Sequence, residues 1–198
     1  MKEVDRDIFL LINAANDVNS PLVVFAYAMA KYLIYAVPFG ITWLWVRGDD
    51  TERRGAQMLL IAVLTAISLS WSIGLLFPVD RPFLEPIGHN LLTHRPSPSF
   101  PSNHGLVMFT CAWSLLLMSY KWQATVAGTS GLLIAWSRIY LGIHWPSDMV
   151  GALFIALVAA FLARFADRCA GESLLPIAVG AYQMCVLKPI SNVRKRFM

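Results

Sequence analysis

Residues 126–163 read "VAGTSGLLIAWSRIYLGIHWPSDMVGALFIALVAAFLA". Two apolar runs, 126–136 and 149–163, enclose a short stretch that holds an arginine, a histidine and an aspartate. Each run continues a segment long enough to approach the ~20 residues that a helix needs to cross the hydrocarbon layer. The pair therefore reads as two membrane helices joined by a tight polar connection. Charges are costly at such a place, and intramembrane or juxtamembrane ionisable groups mark function by default.

The rest of the chain fits this reading. Of 198 residues, 57% are hydrophobic and 14% charged, against roughly a quarter charged in soluble domains. So few charges cannot cover a water-exposed surface, which points to an integral membrane protein forming one helical bundle over 1–198. Five stretches have spanning length: 21–46, 56–77, 104–120, 124–142 and 149–167. Only "KWQ" separates the third from the fourth, which predicts a helical hairpin. The expected fold is all-α, a polytopic membrane helix bundle of five or six transmembrane helices with its active site at the outer membrane face.

Residues 1–19 are expected to form an interfacial N-terminal helix, with Ile8, Phe9, Leu11 and Ile12 dipping into the membrane. The segment 174–198 is expected to be an interfacial or sixth helix, interrupted by Pro176 and Gly180 and ending in the basic tail "NVRKRFM". With five spans, Arg47, Arg53, Arg54, Lys121, Arg164 and Arg168 fall on one side. Short loops rich in Lys and Arg remain cytoplasmic. The loops 78–103 and 143–148 then face the periplasm or the outside of a bacterial inner membrane.

A net charge of +4 without a basic run excludes a nucleic-acid-binding face. Cys111, Cys169 and Cys185 lack metal-ligand spacing and read as packing residues. No carboxylate cluster suggests a divalent metal, and no cofactor is expected. No internal repeat suggests a transporter built from inverted halves.

Three polar clusters lie on the predicted outer side. The first is Asp80-Arg81-Pro82, just past the second span. The second is "SFPSNHG", 99–105, where Ser102 reads as the N-cap of the third span and His104 enters its first turn. Free N–H groups at that helix start form an anion site. The third cluster is Ser137-Arg138, His144 and Asp148. A carboxylate four residues beyond His144 can hold one ring nitrogen and leave the other free. Together these are the parts for phosphoryl transfer: arginines to stabilise charge, one histidine to attack and one to move a proton.

The "RP", "PSNH" and "SR-x5-H-x3-D" elements resemble the tripartite signature of the type 2 phosphatidic acid phosphatase superfamily. Within it, "FPVDRPF", "SFPSNHG" and "AWSRIYLGIHWPSDMVG" are most like the bacterial undecaprenyl-diphosphate phosphatases of the bacitracin-resistance type. The resemblance implies His144 as nucleophile, Asp148 as its orienting partner and His104 as acid and then base. Arg81, Ser102 and Arg138 would bind the phosphate, with Asn103 beside them. It also implies a polyprenyl diphosphate substrate, hydrolysed through a phosphohistidine to recycle the lipid carrier of cell-wall synthesis. A phosphatidylglycerophosphate or phosphatidic acid phosphatase, or a lipid phosphotransferase, would use the same residues.

Two positions depart from the pattern. Gly74 stands where the general signature has a lysine, and Asn103 where this branch usually carries an acid. The missing lysine draws attention to Lys31, about ten residues into the first span. Facing the bundle interior, it would touch the second phosphate; otherwise it snorkels to the interface. Glu85, His89, His94 and Arg95 are expected to face water.

Overall fold

The computed structural model describes residues 2–15 and 18–188. Among these residues there is no strand, and the helices run α1 (Lys2–Ile12), α2 (Pro21–Tyr32), α3 (Ala36–Arg47), α4 (Asp50–Leu76), α5 (Asn103–Leu117), α6 (Lys121–Tyr140) and α7 (Pro146–Tyr182). Three helical segments are long and apolar enough to cross a membrane: Pro21–Arg47, Asp50–Leu76 and Pro146–Leu187. The 15 residues of α5 are apolar but shorter than a full span. Much of α6 turns Ala, Gly and Ser toward its neighbours rather than toward lipid.

Small residues set how closely the helices approach. On α7, Ala152, Ala156, Ala159, Ala160 and Ala163 are each at most 1% exposed, and their spacing places them along one face. That stripe lets the α4 and α5 backbones come near, where packing and not hydrophobicity drives association in lipid. Leu106 and Phe109 of α5 fill the space beside it, and Gly131 of α6 gives room for the Phe109 ring.

The expected first span is interrupted. Leu33–Tyr35 form a 3-10 turn between α2 and α3. Pro38 has no N–H to donate to the carbonyl four residues back, so the ladder tightens just before it. The separate helix expected from residue 174 is also corrected, as far as Lys188. Through Pro176, α7 continues without a break as a 37-residue helix, followed by a π turn at Gln183–Leu187. The basic tail from 192 lies outside the described residues.

One of the four residues expected to dip into the membrane from the N-terminal helix packs into the protein instead. Leu10 and Leu11 remain exposed, but Phe9 is fully buried, with its ring centroid 5.2 Å from that of Trp145. Burying a phenylalanine contributes roughly 2–3 kcal/mol. Asp5 accepts from both the backbone N–H (2.9 Å) and the hydroxyl (2.6 Å) of Ser147, so α1 caps the start of α7 from across the fold. Asn13 accepts from the His89 N–H and donates to the carbonyls of His89 and Tyr140.

At the far end of the bundle, Asp167 is buried between Arg54 of α4 (3.1 Å) and Arg164 (3.2 Å). Cys111 is a packing residue as expected, whereas Cys169 and Cys185 are exposed.

Candidate active site

The long connection between α4 and α5 folds back on itself. The Ser99 N–H donates to the Val79 carbonyl at 2.8 Å, which joins the two ends of the loop. Trp145 Nε1 donates to the Asp80 carbonyl at 2.8 Å, and the Leu91 N–H to the Leu141 carbonyl at 3.0 Å. These bonds lay the loop over the α6–α7 turn. Gly142 makes that turn possible with φ at +79°, a conformation that side chains disfavour.

The three expected clusters converge there. His144 is 1% exposed, and its Nδ1 lies 2.9 Å from Asp148 Oδ2. Its Nε2 lies 3.0 Å from Arg81 Nη1 and 3.4 Å from Arg138 Nη2. A guanidinium can only donate and an ionised carboxylate can only accept. The one tautomer that satisfies all three partners has the proton on Nδ1 and the lone pair on Nε2, aimed between the arginines. Burial pushes the His144 ring well below its ordinary value, and Arg138 and Arg81 add to this. The ring is therefore neutral.

Arg81 does not snorkel. It is 4% exposed, and its Nε, Nη1 and Nη2 donate to the carbonyls of Ser97, Ile143 and Pro98. Burial brings its guanidinium down to about 10, so it is still charged at neutral pH. Arg138 is 3% exposed and donates from Nη1 to the Ala30 carbonyl at 3.2 Å. Its Nε, with the hydroxyls of Ser102 and Ser137, is buried without a partner among the described residues. Buried donors of this kind are costly unless a ligand meets them.

Ser102 takes the N-cap position of α5, but its side chain makes no capping bond. Its hydroxyl is left free beside the first-turn N–H groups. His104, Arg138, His94 and Lys31 line one cavity of about 400 Å³. Among the described residues, no group of three or more acids, histidines and cysteines could hold a metal ion.

Three placements differ from the sequence reading, those of Asn103, Lys31 and His94, while Glu85 is part of a surface ion pair. The Asn103 carbonyl oxygen accepts from Ser70 at 2.6 Å, which turns that side chain toward α4. Lys31 is exposed and not interior; its Nζ donates to Tyr27 Oη at 2.7 Å and sits over the Tyr27 and Tyr32 rings. It nevertheless reaches the wall of the cavity that holds His104. His94, expected in water, lies with its ring centroid 6.3 Å from that of His144. Burial pushes its imidazole below the ordinary value. Glu85 lies 3.8 Å from Arg6.

Ser99 opens the second cluster, but the sequence reading gives it no role. Its hydroxyl is 2.5 Å from Asp148 Oδ2 and 3.3 Å from His144 Nδ1. A serine two positions before a proline-led helix entry carries no spacing signal of its own, and only the folded loop brings it to the pair.

A family model described as the PAP2 superfamily matches residues 54–167. The chain belongs to the PAP2 superfamily. It is 36% identical over 190 residues to YbjG of Escherichia coli (strain K12), covering 96% of each chain. It is 29% identical to the undecaprenyl-diphosphatase BcrC of Bacillus subtilis (strain 168), over 83% of this chain and 85% of that one. The crystal structure of Aquifex aeolicus LpxE superposes with a TM-score of 0.64 at 25% identity, covering 79% of this chain and 92% of that one. The PAP2 match begins at Arg54, so α1 to α3, with Asp5, Phe9 and Lys31, lie ahead of it.

Proposed function

We propose that this PAP2 protein hydrolyses a polyprenyl diphosphate, undecaprenyl diphosphate, to the monophosphate and inorganic phosphate. The observation that carries the reading is the His144 ring, with Nδ1 on Asp148 and Nε2 between two guanidinium groups. Nε2 attacks the terminal phosphorus, the bond from phosphorus to the bridging oxygen breaks, and His104 gives that oxygen a proton. Water, losing its proton to His104, then attacks the phosphohistidine and releases phosphate. Arg81, Arg138, the Ser102 hydroxyl and the start of α5 hold the equatorial oxygens and stabilise their charge.

A diphosphate has a second phosphoryl group to hold. Lys31 stands in the same cavity wall, tethered by Tyr27, and supplies the cation that Gly74 does not. The name of the similar BcrC protein supports the same substrate. The five expected crossings, with the site at the outer face of a bacterial inner membrane, place the diphosphate at the headgroup level and the prenyl tail in lipid.

The test is phosphate release by purified protein in detergent with EDTA present. Undecaprenyl diphosphate, phosphatidylglycerophosphate and phosphatidic acid are compared, with His144→Ala as control. Preferred turnover of the diphosphate is expected. A preference for the glycerolipids would replace the substrate, and loss of all activity in chelator would defeat the metal-free mechanism.

A further inference from the structure

We propose that Ser99 is a positioning residue of the hydrolytic site, whose hydroxyl fixes where the proton of the His144–Asp148 pair resides. This rests on the phosphohistidine reading above.

Ser99 is completely buried. Its backbone N–H is held by the Val79 carbonyl, and the Phe100 ring that follows fills the space at Gly151, where a β-carbon would collide with it. Gly151 lies three residues beyond Asp148 on α7. The loop is thus pinned on both sides of Ser99, and its hydroxyl is delivered between carboxylate and imidazole.

A hydroxyl has one proton. At 2.5 Å from Asp148 Oδ2, an acceptor, it donates there. Toward His144 Nδ1 at 3.3 Å its oxygen can then only accept a share of the ring N–H. Asp148 Oδ2 collects three donors: Ser99 O–H, the Trp145 N–H at 2.8 Å and His144 Nδ1–H at 2.9 Å. Burial pushes the Asp148 carboxyl up to about 6, and the Ser99 and Trp145 donors work against that rise by favouring the charged carboxylate. The proton therefore stays on Nδ1, and the carboxylate keeps its charge opposite the ring once Nε2 carries the phosphoryl group. A serine that merely filled space would make no such difference between the two proton positions.

The other ionisable groups facing the pair are Arg81 and His94 from the loop, Arg138 from α6 and His104 from α5. Asp5 of α1 faces it through Ser147. Ser99→Ala removes none of them, so a displaced titration belongs to the hydroxyl.

The experiment measures phosphate release from undecaprenyl diphosphate between pH 5 and 9 for wild type, Ser99→Ala and Ser99→Thr. Ser99→Ala is expected to lower kcat/KM by about ten- to a hundredfold, the factor that one hydrogen bond to a charged group carries. Its acid limb is expected to move to higher pH, because the pair takes up a proton more readily. Ser99→Thr, which keeps the hydroxyl, is expected to restore the wild-type limb. Should Ser99→Ala fail to give monodisperse protein, Ser99→Cys carries the same reading, with a smaller displacement in the same direction. An unmoved limb in a folded variant, whether activity is retained or lowered evenly at all pH, overturns the proposal. Proton-detected NMR of 15N-histidine-labelled protein reads the His144 Nδ1–H without turnover. Its resonance is expected to move in Ser99→Ala, and an unchanged resonance counts against Ser99. A wild type that releases no phosphate defeats the function reading instead, and the NMR result then still stands or falls separately.

Discussion

His144 Nε2 lies 3.0 Å from Arg81 Nη1, although 63 residues separate them in the chain. An imidazole lone pair facing a guanidinium is a poor arrangement for storing a proton and a good one for meeting a phosphoryl group. In the proposed reaction the arginine holds the transferred oxygens where the nitrogen attacks, and its charge disfavours a competing imidazolium.

Removing the nucleophile should end turnover without unfolding the protein. His144→Ala is expected to lower kcat by at least about a thousandfold, with an unchanged thermal transition in detergent. Brief exposure of wild type to labelled substrate, followed by an alkaline quench, should trap an acid-labile phosphoenzyme absent from the variant. A His144→Ala protein with near-normal turnover would remove the ring from the chemistry.

Asp148→Asn keeps the shape of the site but removes the carboxylate charge. An amide cannot stabilise the ring cation, and it can present N–H toward Nδ1 and reverse the tautomer. A loss of roughly 10² to 10⁴ in kcat is expected by analogy with other oriented histidines. Retention of more than a tenth of wild-type activity would show that the carboxylate is dispensable.

The His144 ring should resist acid. Its folded value lies well below 6.5 because of burial and then the two arginines. Between the two values the unfolded chain binds this proton and the folded chain does not. This contribution to stability is thus fully present above about 6.5 and declines as pH falls toward the folded value. In 15N-histidine NMR the ring should remain neutral at pH 5.5. A midpoint near 6.5 would contradict the buried, arginine-flanked geometry.

Lys31→Met should separate diphosphate from monophosphate substrates. The variant is expected to raise KM for undecaprenyl diphosphate by about ten- to a hundredfold, the weight of one charge-assisted contact. Turnover of a monophosphate lipid should change little. Equal effects on both substrates would return Lys31 to a tether for Tyr27.

Asp5→Ala tests whether α1 supports the catalytic turn. Losing a helix cap costs about 0.5–2 kcal/mol, and the Ser147 N–H loses its partner. A lowered thermal transition is expected together with a several-fold fall in kcat. Wild-type values for both would make α1 a passenger.

The parts of the site that were legible in sequence are those whose identity and spacing carry the chemistry. His104, Arg138 and Asp148 stand at helix ends, and Arg81 and His144 stand in the connections beside them, which have little freedom once the spans are drawn. What was not legible depends on direction. The sequence brings Lys31 to mind through its position in the first span, but no periodicity tells which side of an interrupted helix faces the bundle. Phe9 reads as an ordinary member of an amphipathic face until Trp145 is known to lie beneath it. Ser99 and His94 reach His144 only because the long loop doubles back, and that return is set by Val79, Asp80 and Leu141, which carry no motif. Pro176 and Gly180 suggest a stop in sequence, yet Pro176 leaves α7 unbroken.

The docking of Phe9 and Asp5 onto the Trp145–Ser147 turn has a practical consequence for handling the protein. An affinity handle fused next to α1 would pull on the segment that packs against the turn carrying His144. A handle placed elsewhere in the chain would not load α1. Purification strategies that differ only in which end is tagged should therefore return preparations of unequal specific activity.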